Sequence, residues 1–231
     1  PHLDDSYDIN TGLLKCRSLL LEINKMGLPC GCEMLDPFIP QYIDDLVSWA
    51  AIGARTSESQ THRQMVSGVS MPVGFKNSTF GDVKVAIDGI KCANNKHVFL
   101  GIDENGNNCL IHTKGNPDCH IILRGGKDGP NYSQQHLDNI TNNYKINKIM
   151  IDCSHGNSNK DYRNQPKVCL DVIEQIKKDI DKRIIGIMIE SNINEGNQSL
   201  SNNLLYGISI TDSCISIQET EKLLNQLYLS I

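Results

Sequence analysis

Polar residues that could do chemistry stand at or just beyond the ends of successive apolar runs. They are Glu33 in Cys32-Glu33-Met34, Arg55 in Gly53-Ala54-Arg55-Thr56, Lys76 in Gly74-Phe75-Lys76-Asn77, Arg124 in Leu123-Arg124-Gly125-Gly126, His155 in Asp152-Cys153-Ser154-His155, Glu190 in Met188-Ile189-Glu190-Ser191, and Asp212 after the short run Ile210-Thr211. Arg55, Lys76 and Arg124 are cations without matching anions beside them in sequence. Arginine forks suit carboxylate and phosphate oxygens, and lysine adds a compact point charge. Gly125-Gly126 leaves backbone amides open to an anion. His155, Glu190 and Asp212 form a nitrogen and oxygen donor set suited to a divalent transition metal. Taken together, the two groups suggest an anionic, phosphorylated substrate beside a Lewis acid. Any one of these residues alone reads as an ordinary side chain leaving a strand for solvent. The repeated offset is what matters, because α/β folds bring the carboxyl ends of their strands to one cavity.

The elements that must position these residues follow from the hydrophobic pattern. Apolar runs at Pro29–Leu35, Leu46–Ala54, Met71–Lys76, Cys119–Arg124, Lys148–Asp152 and Ile184–Glu190 are largely unbroken. Unbroken runs ask for burial on both faces, as in a parallel sheet covered by helices. Amphipathic stretches alternate with them: Thr11–Met26, with Asn10 as its cap and Gly27 as its stop, then Gln60–Gly68, Gly81–Ala93, Ser133–Tyr144, Gln165–Asp181 and Ile217–Leu229. The span 97–113 breaks the alternation. Val98–Ile102 and Cys109–Ile111 flank the turn-rich Asp103-Glu104-Asn105-Gly106-Asn107, which predicts a hairpin. No internal repeat or composition break marks a second domain. The expected fold is therefore α/β: one (β/α)8 TIM-type barrel domain over residues 1–231 that lacks its first strands, with an inserted regulatory hairpin at 97–113.

Composition narrows the classes. The 231 residues carry a formal net charge of −5, with 39% hydrophobic and 21% charged residues. That balance argues against disorder and against a nucleic-acid partner held by a basic surface. No apolar run reaches the roughly 18 residues of a membrane span, so no membrane partner is expected. Nine cysteines, an odd number without a framework spacing, read as free thiols of a reducing compartment, and a cytoplasmic location is expected. The Asn-x-Ser/Thr triplets at Asn77, Asn131, Asn139 and Asn197 read as chance in an Asn-rich chain. Gly-x-Gly-x-x-Gly and Walker A loops are absent, and Cys30-Gly31-Cys32 is too close-set for a zinc knuckle. The other histidines, including His62, His97, His112, His120 and His136, show no partner pattern.

Five stretches carry a family resemblance: Gly53–Gln60, Pro72–Asn77, Cys119–Gly126, Asp152–His155, and Glu195-Gly196-Asn197-Gln198 with Ser209–Asp212. In collinear order they resemble the class I alpha form of 3-deoxy-D-arabino-heptulosonate 7-phosphate synthase, from residue 1 to about 227. That family joins phosphoenolpyruvate to erythrose 4-phosphate in a metal-dependent aldol-like condensation that opens the shikimate pathway. The resemblance implies that Arg55, Lys76 and Arg124 hold the phosphate and carboxylate of phosphoenolpyruvate, with Glu33 lining that pocket. It makes His155, Glu190 and Asp212 ligands of Mn, Co, Fe or a similar divalent metal, with Asp212 also near the aldehyde substrate and Cys214 beside it. Lys76 and His155 are the catalytic residues it implies. C3 of the enol attacks the aldehyde carbon, water adds at C2, and phosphate leaves with C–O cleavage.

The same resemblance implies an aromatic amino acid effector bound by Pro40, Gln41, Ser70, Phe99, Gly101 and Ile111. The place of Gly101 holds Ser in phenylalanine-sensitive forms and Gly in tyrosine-sensitive ones, which favours tyrosine here. A homo-oligomer, dimer or tetramer, is expected. Family members also carry an upstream segment with two barrel strands, a metal-binding Cys and a Lys-Pro-Arg-Thr stretch, which the present sequence does not show. The expectation is that this chain is the C-terminal part of a full enzyme and inactive alone. A catalytically silent remnant that serves as an effector-binding or assembly subunit is the alternative. Another phosphoenolpyruvate–aldose synthase is disfavoured by the hairpin.

Overall fold

The computed structural model describes residues 6–231. The chain is mixed α/β and folds as two compact units, one built from residues up to 76 with 85–120, the other from 77–84 with 121–231. In the first unit, helix α1 (Ile9–Lys25) precedes strand β1 (Gly31–Glu33), a short helix α2 (Pro40–Ile43), strand β2 (Trp49–Ile52), helix α3 (Gln60–Val66) and strand β3 (Val73–Lys76). Most of helix α4 (Lys84–Ala93) and the hairpin of β4 (Val98–Ile102) and β5 (Asn108–His112) complete it. β1, β2 and β3 are parallel, with Gly31 opposite Trp49 and Ala50 opposite Val73.

The second unit repeats the alternation. Strand β6 (Cys119–Leu123), most of which lies here, leads to helix α5 (Gln134–Tyr144), strand β7 (Ile149–Asp152), helix α6 (Gln165–Lys178) and strand β8 (Ile184–Met188). A two-residue parallel pair, β9 (Ser191–Asn192) and β10 (Ile215–Ser216), then precedes helix α7 (Ile217–Tyr228). β6, β7 and β8 are parallel, and a bulge at Ile149/Met150 resets the register so that Met150 faces Gly186. This strand–helix repetition is the local pattern of a (β/α) barrel wall.

Unbroken apolar runs do become doubly buried strands. Every residue of Val73–Lys76 and of Cys119–Leu123 is buried, which matches a sheet shielded on both faces. The hairpin instead alternates exposed positions with half-buried ones and the buried Gly101.

Several boundaries differ from the sequence reading. α1 begins at Ile9, and its cap is Asp8, whose carboxylate accepts from the Thr11 amide; the Asn10 expected there lies inside the helix. Asp8 wins because its oxygen reaches an amide that has no partner in the first turn. Leu46 sits in a 3₁₀ turn (Asp44–Leu46), so the second strand starts at Trp49. α3 stops at Val66, and α4 starts at Lys84, after a turn in which the Gly81 amide donates to the Ser78 carbonyl. The short run before Asp212 is irregular, with Ser209 making an isolated bridge to Asn197.

Several buried polar side chains are paired within their own unit. His120 accepts from the Trp49 indole, and His62 bridges Ser59 Oγ and the Leu35 carbonyl, so both serve packing. In the second unit, Arg183 is fixed by Asp179 and Asp138 at 2.9 and 2.8 Å. All nine cysteines are free thiols. Burial pushes the Cys119 thiol up to about 12, which makes it a packing group rather than a nucleophile. No helix among the described residues is long and apolar enough to cross a membrane.

Candidate functional site

In the second unit, His155 lies in the turn that follows β7, with a left-handed backbone at φ +52°. Such a conformation is uncommon for a residue with a Cβ and must be held by its surroundings. Its carbonyl accepts from the Lys160 amide at 2.7 Å and from Ser158 Oγ at 3.3 Å. On the imidazole, Nδ1 faces the fully buried Asp152 carboxylate at 2.9 Å, while Nε2 faces Glu190 at 3.5 Å and Asp212 at 3.9 Å. One oxygen of Asp152 also accepts from the Ser154 amide. A carboxylate this near Nδ1 is placed to orient the ring, with Nε2 turned toward the other two carboxylates.

Glu190 and Asp212 reach this point from separate stretches of chain. The backbone of Glu190 is held twice by the buried Gln165 side chain at the start of α6: its amide donates to Oε1 at 2.9 Å, and its carbonyl accepts from Nε2 at 3.2 Å. Asp212 is 68% exposed at its side chain, and its loop is held from below by Glu195-Gly196-Asn197-Gln198. Asn197 Nδ2 donates to the Thr211 carbonyl, Gln198 Nε2 to the Leu205 and Ile208 carbonyls, and the Gln198 amide to the Ser209 carbonyl. Gly196 exchanges backbone bonds with Cys214, whose thiol is raised by burial and by the nearby Glu190 and Asp212 charges. The donor atoms of His155, Glu190 and Asp212 all lie within 4.8 Å of one another. A cavity of about 110 Å³ lined by Ser154, His155, Lys160, Asp212 and Ser213 opens beside them. One imidazole nitrogen and two carboxylates, close-set and open to solvent on one side, fit a divalent cation with positions to spare for substrate.

The other expected site residues are placed as follows. Arg124 leaves the end of β6 buried, 8% exposed. In the first unit, Lys76 ends β3 with 7% exposure, Glu33 ends β1 with its carboxylate over the Gly53 backbone, and Arg55 is exposed on the turn after β2. Ser57 ties that turn to the end of β3, donating from Oγ toward the Gly53 carbonyl at 3.0 Å and the Lys76 carbonyl at 2.7 Å. Arg63 accompanies it, with Nε donating to the Ser57 carbonyl and a terminal nitrogen to the Val85 carbonyl. Among the expected effector residues, Phe99 pairs with Ile111 across the hairpin, and a Cβ at Gly101 would meet Ile111 Cδ1 at 2.0 Å and Gln41 Nε2 at 3.6 Å. Pro40 opens α2 beside Gln41, while Ser70 is exposed before β3.

Sequence reasoning passed over Asp152, Gln165, Ser57 and Asn197 as working residues. A signal existed for the first, since a carboxylate three residues before a candidate ligand histidine is well placed to orient it. Gln165 carried none, because its partner Glu190 lies 25 positions away.

Comparison with known proteins gives one result throughout. A family model described as "DAHP synthetase I family" matches residues 1–225. The chain is 52% identical over 235 aligned residues to the Tyr-sensitive phospho-2-dehydro-3-deoxyheptonate aldolase of Escherichia coli K12, covering 99% of this chain and 65% of that protein. It is also 52% identical to the Phe-sensitive enzyme of the same strain, over 98% of this chain and 66% of the relative. The solved structure of phospho-2-dehydro-3-deoxyheptonate aldolase from Francisella tularensis SCHU S4 aligns with a TM-score of 0.94 at 48% identity, covering 99% of this chain and 68% of that one. The chain thus spans just under two thirds of the length of these curated relatives.

Proposed function

Because the chain belongs to the DAHP synthetase I family, we propose that its full-length protein condenses phosphoenolpyruvate with erythrose 4-phosphate to 3-deoxy-D-arabino-heptulosonate 7-phosphate, the first shikimate step. The observation that carries this reading is the meeting of His155, Glu190 and Asp212, residues from three separate stretches of chain, at one open point. These three side chains are the ones that would hold Mn, Co, Fe or a similar divalent ion. When bound, such an ion supplies Lewis-acid activation of the aldehyde.

The chain's own groups do the rest. Asp152, 2.9 Å from Nδ1 of His155, is assigned to orienting the imidazole so that Nε2 faces Glu190 and Asp212. Arg124, Lys76 and Arg55 are each assigned to the anionic groups of phosphoenolpyruvate, and Glu33 is assigned to the same substrate. Arg124 and Lys76 are buried, where a cation acts on an anion with less screening by water. Asp212, the most exposed of the metal-site carboxylates, is assigned to the aldehyde side. Lys76 and His155 are the catalytic residues of this proposal.

Regulation by an aromatic amino acid is proposed at Pro40, Gln41, Ser70, Phe99, Gly101 and Ile111. Equal identity to Tyr- and Phe-sensitive relatives leaves the choice to individual residues. Gly101 favours tyrosine, since a side chain there would displace Ile111 and fill the room a phenolic hydroxyl needs. A cytoplasmic homo-oligomer completes the proposal.

The test is product formation by the purified full-length protein, supplied with both substrates and Mn²⁺. Phosphate release that needs both substrates, with the seven-carbon product seen by mass spectrometry, is expected. No product under those conditions would refute the activity and favour a silent binding subunit.

A further inference from the structure

Three buried asparagines in the second unit form a chain between the turn that carries Arg124 and the turn that carries His155. Asn77 Oδ1 accepts from the Arg124 amide at 2.8 Å and from Asn131 Nδ2 at 3.2 Å, while its Nδ2 donates to the Ser78 and Gly125 carbonyls at 2.9 and 3.0 Å. All four hydrogen-bonding positions of that amide are thereby used. Asn131 Oδ1 accepts from the Gly125 amide at 2.8 Å, and its own backbone amide donates to Asn157 Oδ1 at 2.9 Å. Asn157 closes the chain, donating from Nδ2 to the Leu123 carbonyl at 3.0 Å and the Asp152 carbonyl at 2.8 Å. The Arg124 carbonyl accepts from the Gly156 and Asn157 amides at 2.9 and 3.2 Å. Both backbone polar groups of Arg124 are therefore fixed, one by Asn77 and the other by the His155 turn.

The two turns also touch backbone to backbone. A Cβ at Gly125 would lie 2.5 Å from the Asn157 amide nitrogen, and one at Gly156 would lie 2.6 Å from the Gly126 nitrogen. Only glycine permits that approach, and Gly125 further holds φ +72°. The asparagines are 0, 8 and 3% exposed, so water cannot replace their bonds. Satisfying buried loop backbone would account for any one of them. It does not account for all three converging on the backbone of residues 123–125 and 152–157, the two segments that present the anion-binding cation and the metal ligand.

We propose that Asn77, Asn131 and Asn157 are positioning residues that set the Arg124 guanidinium in register with the His155 imidazole, so that the anionic substrate and the metal are presented as one unit. The inference rests on the functional reading given above. Its consequence is that one asparagine serves two ligands, whereas each liganding side chain serves one.

Binding, which needs no turnover, tests this on the full-length protein: Mn²⁺ affinity by electron paramagnetic resonance, and phosphoenolpyruvate affinity by calorimetry with and without Mn²⁺. Asn157→Asp puts an oxygen against two carbonyl oxygens, and the milder Asn131→Ala removes two bonds and covers the case in which the first variant fails to fold. Both dissociation constants should rise about 10-fold or more in either variant, the scale seen when outer partners of a metal ligand are removed. Arg124→Ala should weaken phosphoenolpyruvate and leave Mn²⁺ affinity measured without substrate unchanged, and His155→Ala should weaken Mn²⁺ and leave phosphoenolpyruvate affinity measured without Mn²⁺ unchanged. Asn116→Ala provides the structural control, since Asn116 is buried and bonds the Val69 and Met71 carbonyls in the first unit. It should lower the melting temperature and leave both constants unchanged. If folded Asn131→Ala binds both ligands within about two-fold of wild type, or weakens only one of them, the inference is overturned. Failure of wild type to make product would instead strike the functional reading, and the two binding constants would still judge the asparagines.

Discussion

In the turn after β7, the backbone of residues 152–160 is taken up by Asn157, Ser154, Ser158 and the neighbouring glycine turn. In the hairpin of β4 and β5, the ladder and the Asp103 turn supply the bonds, and Val98, Leu100 and Leu110 are 54, 67 and 66% exposed. The first region satisfies buried polar groups with side chains that permit one arrangement. The second leaves apolar side chains half in solvent, with few bonds to oppose a shift. Under the function proposed above, chemistry on a metal and two phosphates would need donors held to a fraction of an ångström, while an effector site would work by shifting between arrangements. Substitutions should therefore cost activity steeply in the first region and alter selectivity mildly in the second.

The largest effect is expected at the ligands. In the full-length protein, His155→Ala or Glu190→Ala should remove bound Mn²⁺ and lower kcat by more than about 100-fold, beyond what loss of an outer partner costs. Metal analysis after gel filtration checks this, and full occupancy in either variant would unseat that ligand. Next come the buried cations. Lys76→Ala and Arg124→Ala should each cost about 3 kcal/mol, roughly 100-fold in kcat/KM for phosphoenolpyruvate, because an anion loses its partner in a site with little water. Steady-state kinetics decide, and an unchanged kcat/KM would exclude the residue.

Asp152→Asn separates orientation from ligation. Losing the charge at Nδ1 should weaken Mn²⁺ by about 10- to 100-fold while the three ligands remain. A titration that matches wild type would show that Asp152 only holds the Ser154 amide. In the hairpin, Gly101→Ser should leave kcat nearly unchanged and move inhibition toward phenylalanine by about 10-fold or less. Inhibition curves for tyrosine and phenylalanine measured side by side would show it. Unaltered preference would remove the cause assigned to Gly101.

The smallest effect is at the hairpin tip. Amides and the side chain of Asn107, with the Asn105 amide, hold the Asp103 carboxyl below the usual carboxylate range. A folded pKa below the unfolded one favours the closed turn at pH values above the ordinary carboxylate range, and that advantage fades as pH falls through the depressed value. Carbonyl NMR of Asp103 should titrate below a model aspartate, with the Asn107 amide shifting in step. Titration at the ordinary value would remove the turn's pH dependence.

Much of this was legible in the sequence because burial leaves a pattern. The unbroken runs of β3 and β6 marked doubly covered strands, each ending in a buried cation, Lys76 and Arg124. Asp103–Asn107 announced the hairpin turn through its turn chemistry. What escaped were side chains that work on backbone. Neither Asn77 nor Asn131 was given a structural role, because an asparagine that clamps a turn looks the same in sequence as one in a solvated loop. Gln198 likewise gave no sign that it shapes residues 205–209. Local pattern reports periodicity and burial, while these contacts are set by distant chain segments.

The most direct test is metal stoichiometry and turnover measured together on the full-length protein, after chelation and stepwise return of Mn²⁺, for wild type and His155→Ala. Wild type should regain condensation of phosphoenolpyruvate with erythrose 4-phosphate in proportion to bound metal, reaching its limit at one ion per chain, while His155→Ala binds little and stays inactive. Full turnover by the chelated wild type, or by metal-free His155→Ala, would contradict a metal centre at His155, Glu190 and Asp212.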